Sequence, residues 1–161
     1  MPLYRDTLIA GIVLGGRTMG NEPQYKEGMI RSWFDMWLQK NDAEIGSLFT
    51  HNATYIESWG PEYHGLEKIR HWFSEWNSRG TVLAWDIQRF FHDSDKSIVL
   101  WTFECTMQGG PKQGFDGVSL VVWDKDLKIS YLQEYGCSTE RYDPYAAGDK
   151  PVFKEGESPW I

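Results

Sequence analysis

The spacing of hydrophobic positions changes once along the chain, and the change divides it into a helical half and a strand half. Ile30, Trp33, Phe34, Trp37 and Leu38 recur at i, i+3, i+4, i+7 and i+8, the single apolar stripe of an amphipathic helix. Asn41-Asp42 ends this helix, and Asp42 is placed to cap a short second one carrying Ile45, Leu48 and Phe49. A β-branched and aromatic strand follows over residues 53–58, and Gly60-Pro61 turns the chain. A third helix, from about Leu66 to Asn77, gathers Leu66, Ile69, Trp72, Phe73 and Trp76 on one face, and Gly80 terminates it.

From there the period is two. Residues 82–91, 97–108, 114–123 and 128–136 read as long strands joined by short polar turns. In the second of them Val99, Trp101, Phe103, Cys105 and Met107 share one face, while Thr102, Glu104 and Thr106 share the other. Helices first and a meander of strands afterwards make a segregated α+β fold. The expected architecture is a cone-shaped roll: three helices packed on one face of a strongly curved antiparallel sheet, with a hollow between them. The other sheet face is left apolar and uncovered, so a homodimer through that face is expected.

Residues 1–24 are rich in glycine and small side chains without a sustained period, and read as a flexible N-terminal extension. The domain is expected over 25–138, and 139–161, with Pro144, Pro151 and Pro159, reads as a C-terminal tail. The apolar run from Leu8 to Leu14 is far shorter than the ~20 residues needed to span a bilayer. Asp6 also stands in the flank where a secretory leader carries basic residues. The segment reads as an extension, or as a start lying ahead of Met19 or Met29, and a cytoplasmic protein with no membrane partner is expected.

Charge and composition narrow the function. Lys and Arg total 16 against 23 Asp and Glu, a net charge of −7, which excludes a general nucleic-acid binder. Nine Trp, eight Tyr and eight Phe supply large rigid surfaces, as expected of a core built next to a cavity. Cys105 and Cys137 are too few for a disulfide framework and read as small buried hydrophobes. The four histidines are scattered, and no zinc spacing, phosphate loop, nucleotide fingerprint or nucleophile elbow is present. Neither metal nor cofactor is expected.

Several blocks in order carry a family likeness: residues 48–55 (LFTHNATY), 60–65 (GPEYHG) with Ile69 four residues on, 72–77 (WFSEWN), 115–119 (FDGVS) and Glu134-Tyr135. Over about residues 29–138 the chain resembles the SnoaL-like branch of the nuclear transport factor 2-like superfamily. That superfamily spans ketosteroid isomerase, polyketide cyclases, dehydratases, epoxide hydrolases and non-enzymatic binding or dimerisation modules, so the likeness implies a fold rather than one activity.

In the isomerase-like members a carboxylate at the end of the first strand is the general base, and here that position is Glu57. The oxyanion partners of that family are replaced, by Phe34 where a tyrosine would stand and by about Ser119 where an aspartate would. The arginine–aspartate constellation of the epoxide hydrolase-like members finds no match. A lone carboxylate fits the acid/base chemistry of the SnoaL-like cyclases better.

The resemblance implies a small apolar or aromatic molecule in the cone, with cofactor-free isomerase, cyclase or lyase chemistry. A non-catalytic binding or dimerisation module is the alternative. Glu57 shares a face with Ala53 and Tyr55 and reads either as a pocket base or as a solvated strand-end carboxylate. Asp116 reads either as a second acid or as a turn or interface carboxylate, and His64 as a proton shuttle or a structural hydrogen-bonding group. The expected ligand-binding set is Phe34, Trp37, Trp59, Tyr63, Trp72, Trp101, Phe103, Ser119, Tyr131 and Tyr135. Matching the isomerase pattern puts Tyr131, Gln133 and Tyr135 inside and Glu134 on the outer side, while the sequence leaves the register of the last hairpin open.

Overall fold

A computed structural model describes residues 21–154. Helix α1 (Glu22–Gln39) starts with an acid and a proline in its first turn, where a missing N–H costs nothing and negative charge favours the dipole. The expected extension over 1–24 lies mostly outside the described residues, and its last three positions begin this helix. Ile30, Trp33, Phe34 and Trp37 are buried as their spacing predicts, but Leu38 is 38 % exposed and Met36 takes the remaining core place. The helix closes on Lys40 in the left-handed region (φ 53°), whose ammonium donates to the carbonyl oxygens of Asn77 (3.2 Å) and Gly80 (2.7 Å).

Helix α2 (Ile45–Leu48) follows with Glu44 before it. Asp42 does not cap it through its side chain; Asn41 instead accepts from the Ala43 N–H at 3.1 Å, an Asx-type turn that sets up the same chain reversal. Strand β1 (Phe49–Ile56), the short strand β2 (Glu62–His64) and helix α3 (Leu66–Arg79) come next, then β3 (Gly80–Asp93), β4 (Lys96–Met107), β5 (Gln113–Trp123) and β6 (Ile129–Ser138). The short β2 hairpin falls where the sequence suggested only a turn.

The six strands form one curved, unclosed sheet in the order β2-β1-β6-β5-β4-β3. All neighbours are antiparallel except β1 and β6, which run parallel because the chain crosses the whole sheet before β6 returns beside β1. The inner face carries a row of rings across three strands: Trp85 lies opposite Phe103, and Phe103 opposite Phe115. Their centroids are 5.0 and 5.4 Å apart, a spacing at which aromatic pairs attract beyond their buried area. One step along, Trp101 occupies the space over Gly117, where an added Cβ would fall 2.1 Å from the indole. The Trp101 indole also donates to Ser119 at 2.9 Å, so its polar edge is satisfied inside the core.

Two of the sheet's irregularities decide which residues of the site face inward. Val82 pairs with Cys105 and Ala84 with Glu104, so Leu83 is an extra residue in β3; Trp123 pairs with Ile129 and Val122 with Tyr131, so Ser130 is an extra residue in β6. Each β-bulge inverts the inside–outside alternation up to the next irregularity, which in β3 is the extra Gln88 between Ile87 and Arg89.

Among the described residues no helix is long and apolar enough to cross a membrane, and no group of three or more His, Cys, Asp or Glu side chains is placed to hold a metal ion. Cys105 and Cys137 are both free, the first buried and the second exposed.

Candidate functional site

Between the helices and the inner sheet face lies a cavity of about 330 Å³. Its wall includes Trp37 from α1, Trp72 and Trp76 from α3, Trp85, Trp101, Phe103 and Phe115 from the sheet, and Trp59 from the loop after β1. Two acids share it, Glu57 and Glu134.

Glu57 is the residue after β1, and the alternation that buries Ala53 and Tyr55 carries it to the same face. One of its oxygens accepts from the Tyr63 hydroxyl at 2.5 Å, and the other from the Trp59 indole at 3.0 Å. Burial raises the carboxyl above its ordinary range, while these two donors pull it back. Tyr63 is held in turn by stacking on Trp72 at 4.7 Å, and burial together with the adjacent carboxylate pushes its phenol well up.

Glu134, on β6, is only 8 % exposed. Its carboxyl is hydrogen-bonded to the buried hydroxyl of Tyr55. Burial first, and then the negative charge of Glu57, raise Glu134 to about 8, against the opposing pull of the Tyr55 hydrogen bond. Tyr55 is itself driven far above the usual phenol range by burial and by Glu134. Burial thus raises both carboxyls, Glu134 to about 8 and Glu57 less far because Tyr63 and Trp59 donate to it, so at neutral pH Glu134 is the one that keeps its proton. Environments that push two carboxyls apart in this way set one up to take a proton and the other to give one.

The expected residues divide between the two faces. Trp37, Trp59, Trp72, Trp101 and Phe103 stand on the cavity wall with Glu57; Trp59 is 76 % exposed, at the mouth. Tyr63 stands behind Glu57, Phe34 backs Trp85 in a stack at 4.0 Å, and Ser119 accepts from Trp101 in the core.

Asp116 is not in the cavity. It lies on the outer face, accepting from Thr102 (2.9 Å) and paired with Arg141 (2.7 Å) of the C-terminal segment. Tyr131 and Tyr135 also point outward: Tyr131 donates to Gln133 at 2.6 Å and Tyr135 is 51 % exposed. The bulge at Ser130 is the reason, because it turns Glu134 inward and the tyrosines out, the reverse of the isomerase-like match. His64 is exposed, between Thr54 and Glu62, away from the cavity wall.

The sequence reading missed Trp85, and it left open whether Glu134 or Tyr135 faces the cavity. Trp85 follows the bulge at Leu83 and Glu134 the bulge at Ser130, and neither bulge carries a glycine or proline to announce it.

Glu134 makes stability pH-dependent. Its carboxyl sits near 8 in the folded chain and near 4.5 when unfolded, so between these limits the folded state holds a proton that the unfolded state has lost. Stability is then full below about pH 4.5 and falls by at most ~1.4 kcal/mol per unit as pH rises towards 8. Urea midpoints between pH 5 and 8 should show this decline, and Glu134→Gln should flatten it. An equal slope in both proteins would remove Glu134 as its source.

The chain belongs to the SnoaL-like domain family, whose sequence model matches residues 30–132. Similar folds are found in a protein with a ketosteroid isomerase-like fold from Catenulispora acidiphila, solved in complex with trimethylamine (20% identity, TM-score 0.61, covering 69% of this chain and 85% of that one). An LEH-like epoxide hydrolase from M. tuberculosis is similar at 11% identity and a TM-score of 0.64, covering 71% and 84%. A Mesorhizobium loti protein proposed to be a SnoaL-like polyketide cyclase matches at 19% and 0.55, covering 68% and 97%. These likenesses are of fold. No curated protein sequence matches the chain.

Proposed function

We propose that this protein binds a small, partly oxygenated molecule in its ring-lined cavity and moves a proton on it without a cofactor, in an isomerase, cyclase or lyase type of reaction. The observation that carries the reading is the pairing in one cavity of two carboxyls in different surroundings, Glu57 accepting from Tyr63 and Trp59 and Glu134 buried against the Tyr55 hydroxyl. Glu57 takes a proton from the carbon next to a carbonyl. The electron pair left behind moves onto the carbonyl oxygen, which Glu134 stabilises by donating a hydrogen bond. Return of the proton from Glu57 to another carbon completes an isomerisation.

The apolar walls favour both roles, because a hydrogen bond to developing charge is stronger where water is excluded. The trimethylamine complex of a similar fold supports a small-molecule occupant. A homodimer through the outer face is part of the same reading, since Leu83 and Tyr135 expose apolar surface there.

The test uses small cyclic ketones in heavy water, followed by NMR for exchange of the α-hydrogens. Exchange above the buffer rate for at least one ketone is expected. Tight binding of ketones with exchange at the buffer rate throughout would replace this reading by that of a binding module.

A further inference from the structure

The cavity combines two features that a neutral hydrocarbon does not need. Six of the chain's nine tryptophans line it: Trp37, Trp59, Trp72, Trp76, Trp85 and Trp101. Its wall also carries two carboxyls and no Lys, Arg or His. Indole faces are the best aromatic partners for an organic cation, because the ring quadrupole presents negative potential to it. The carboxyls add the same sign of attraction from the β1–β6 side.

We infer that the cavity selects a compact alkylammonium group, held against the indole faces and near Glu57 and Glu134. The inference rests on the small-molecule reading of the cavity; with a cation bound Glu134 is ionised and no longer donates, so the enolate step proposed above belongs to neutral occupants.

A physical consequence separates a cation from a neutral guest. Glu134 keeps its proton first because it is buried, and further because a second anion here would face Glu57 without a countercharge. An entering cation supplies that countercharge, so Glu134 releases its proton to solvent and binding tightens as pH rises. The titratable groups sharing the space are Tyr55 from β1, Glu57 just after it and Cys105 from β4, with Tyr63 of β2 behind Glu57; α1 and α3 contribute indoles to the wall.

The probes are choline and its neutral isostere 3,3-dimethylbutan-1-ol, titrated against the full chain by tryptophan fluorescence and by calorimetry in two buffers of different ionisation heat. Choline is expected to bind at least about tenfold more tightly than the isostere at pH 9. At pH 7 it should release close to one proton, and the isostere none. Glu134→Gln should abolish both the proton release and the rise of choline affinity with pH, with a melting curve to establish that the variant is folded.

Equal or weaker binding of choline, or unchanged proton release in Glu134→Gln, overturns the inference. If the isostere enters and choline does not, only the choice of a cation falls. If neither enters at tens of millimolar, the small-molecule reading of the cavity falls with it.

Discussion

Replacing Glu57 by glutamine is expected to slow α-hydrogen exchange of a cavity-bound ketone by about 10²–10⁴-fold, or ~3–5 kcal/mol in the barrier. Glutamine keeps the volume of the side chain and can still accept from Tyr63 or Trp59, so the cavity should remain intact and ketone affinity should change by no more than a few-fold. What is lost is the basic oxygen. The wild-type rate should rise with pH as Glu57 ionises, somewhat above the ordinary carboxylate range because the group is buried. It should fall again near pH 8, as Glu134 gives up the proton with which it donates to the oxyanion. Glu134→Gln should cost less than Glu57→Gln, because an amide still donates a hydrogen bond, and it should remove the alkaline limb. A Glu57→Gln protein that keeps more than a tenth of the wild-type exchange rate would take Glu57 out of the mechanism.

The helices and the long strands are legible in the sequence because their hydrophobic periods are long and uninterrupted. Trp33 and Trp37 fall on one stripe and are buried together; Trp101, Phe103 and Cys105 alternate cleanly in β4 and all face the cavity. Glu57 is legible for the same reason, since no irregularity lies between Tyr55 and the strand end. Period-two reasoning fails at the first extra residue. In β6 it leaves the register open, the isomerase-like match puts the tyrosines inside, and only the bulge at Ser130 makes Glu134 the inward acid. In β3 the extra Leu83 brings Trp85 inward.

Asp116 is a different case. With Phe115, Gly117 and Ser119 on the inner face of β5, alternation alone sends it outward, and the Phe-Asp-Gly match carried it the other way. Local pattern thus recovers the hollow and its rings, while the identity of the second acid depends on a backbone irregularity that residue types do not signal.

Trp33→Ala is expected to destabilise the fold by about 3–5 kcal/mol, enough to lower the midpoint of thermal unfolding by roughly 10 °C or more. Trp33 is fully buried and stands where α1, the first strand and α3 converge. Its ring lies 5.5 Å from Trp37, 5.0 Å from Phe49, 5.9 Å from Tyr55 and 5.9 Å from Phe73. Truncation removes the indole from all four at once, and rigid neighbouring rings can close only part of the space, so the cavity term adds to the lost transfer energy. The effect should reach the site, because Tyr55 packs against this indole and holds the Glu134 carboxyl. Water admitted beside Tyr55 would relieve the desolvation that keeps Glu134 protonated, moving its titration down from about 8. Urea unfolding gives the stability loss, and the pH dependence of the same transition gives the shift. Trp33→Phe, which keeps a ring in place, should recover most of the stability and bring the titration back. A loss below about 1 kcal/mol in Trp33→Ala would mean that the rings of α1, β1 and α3 close over the gap, and that Trp33 does not hold the wall behind the two acids.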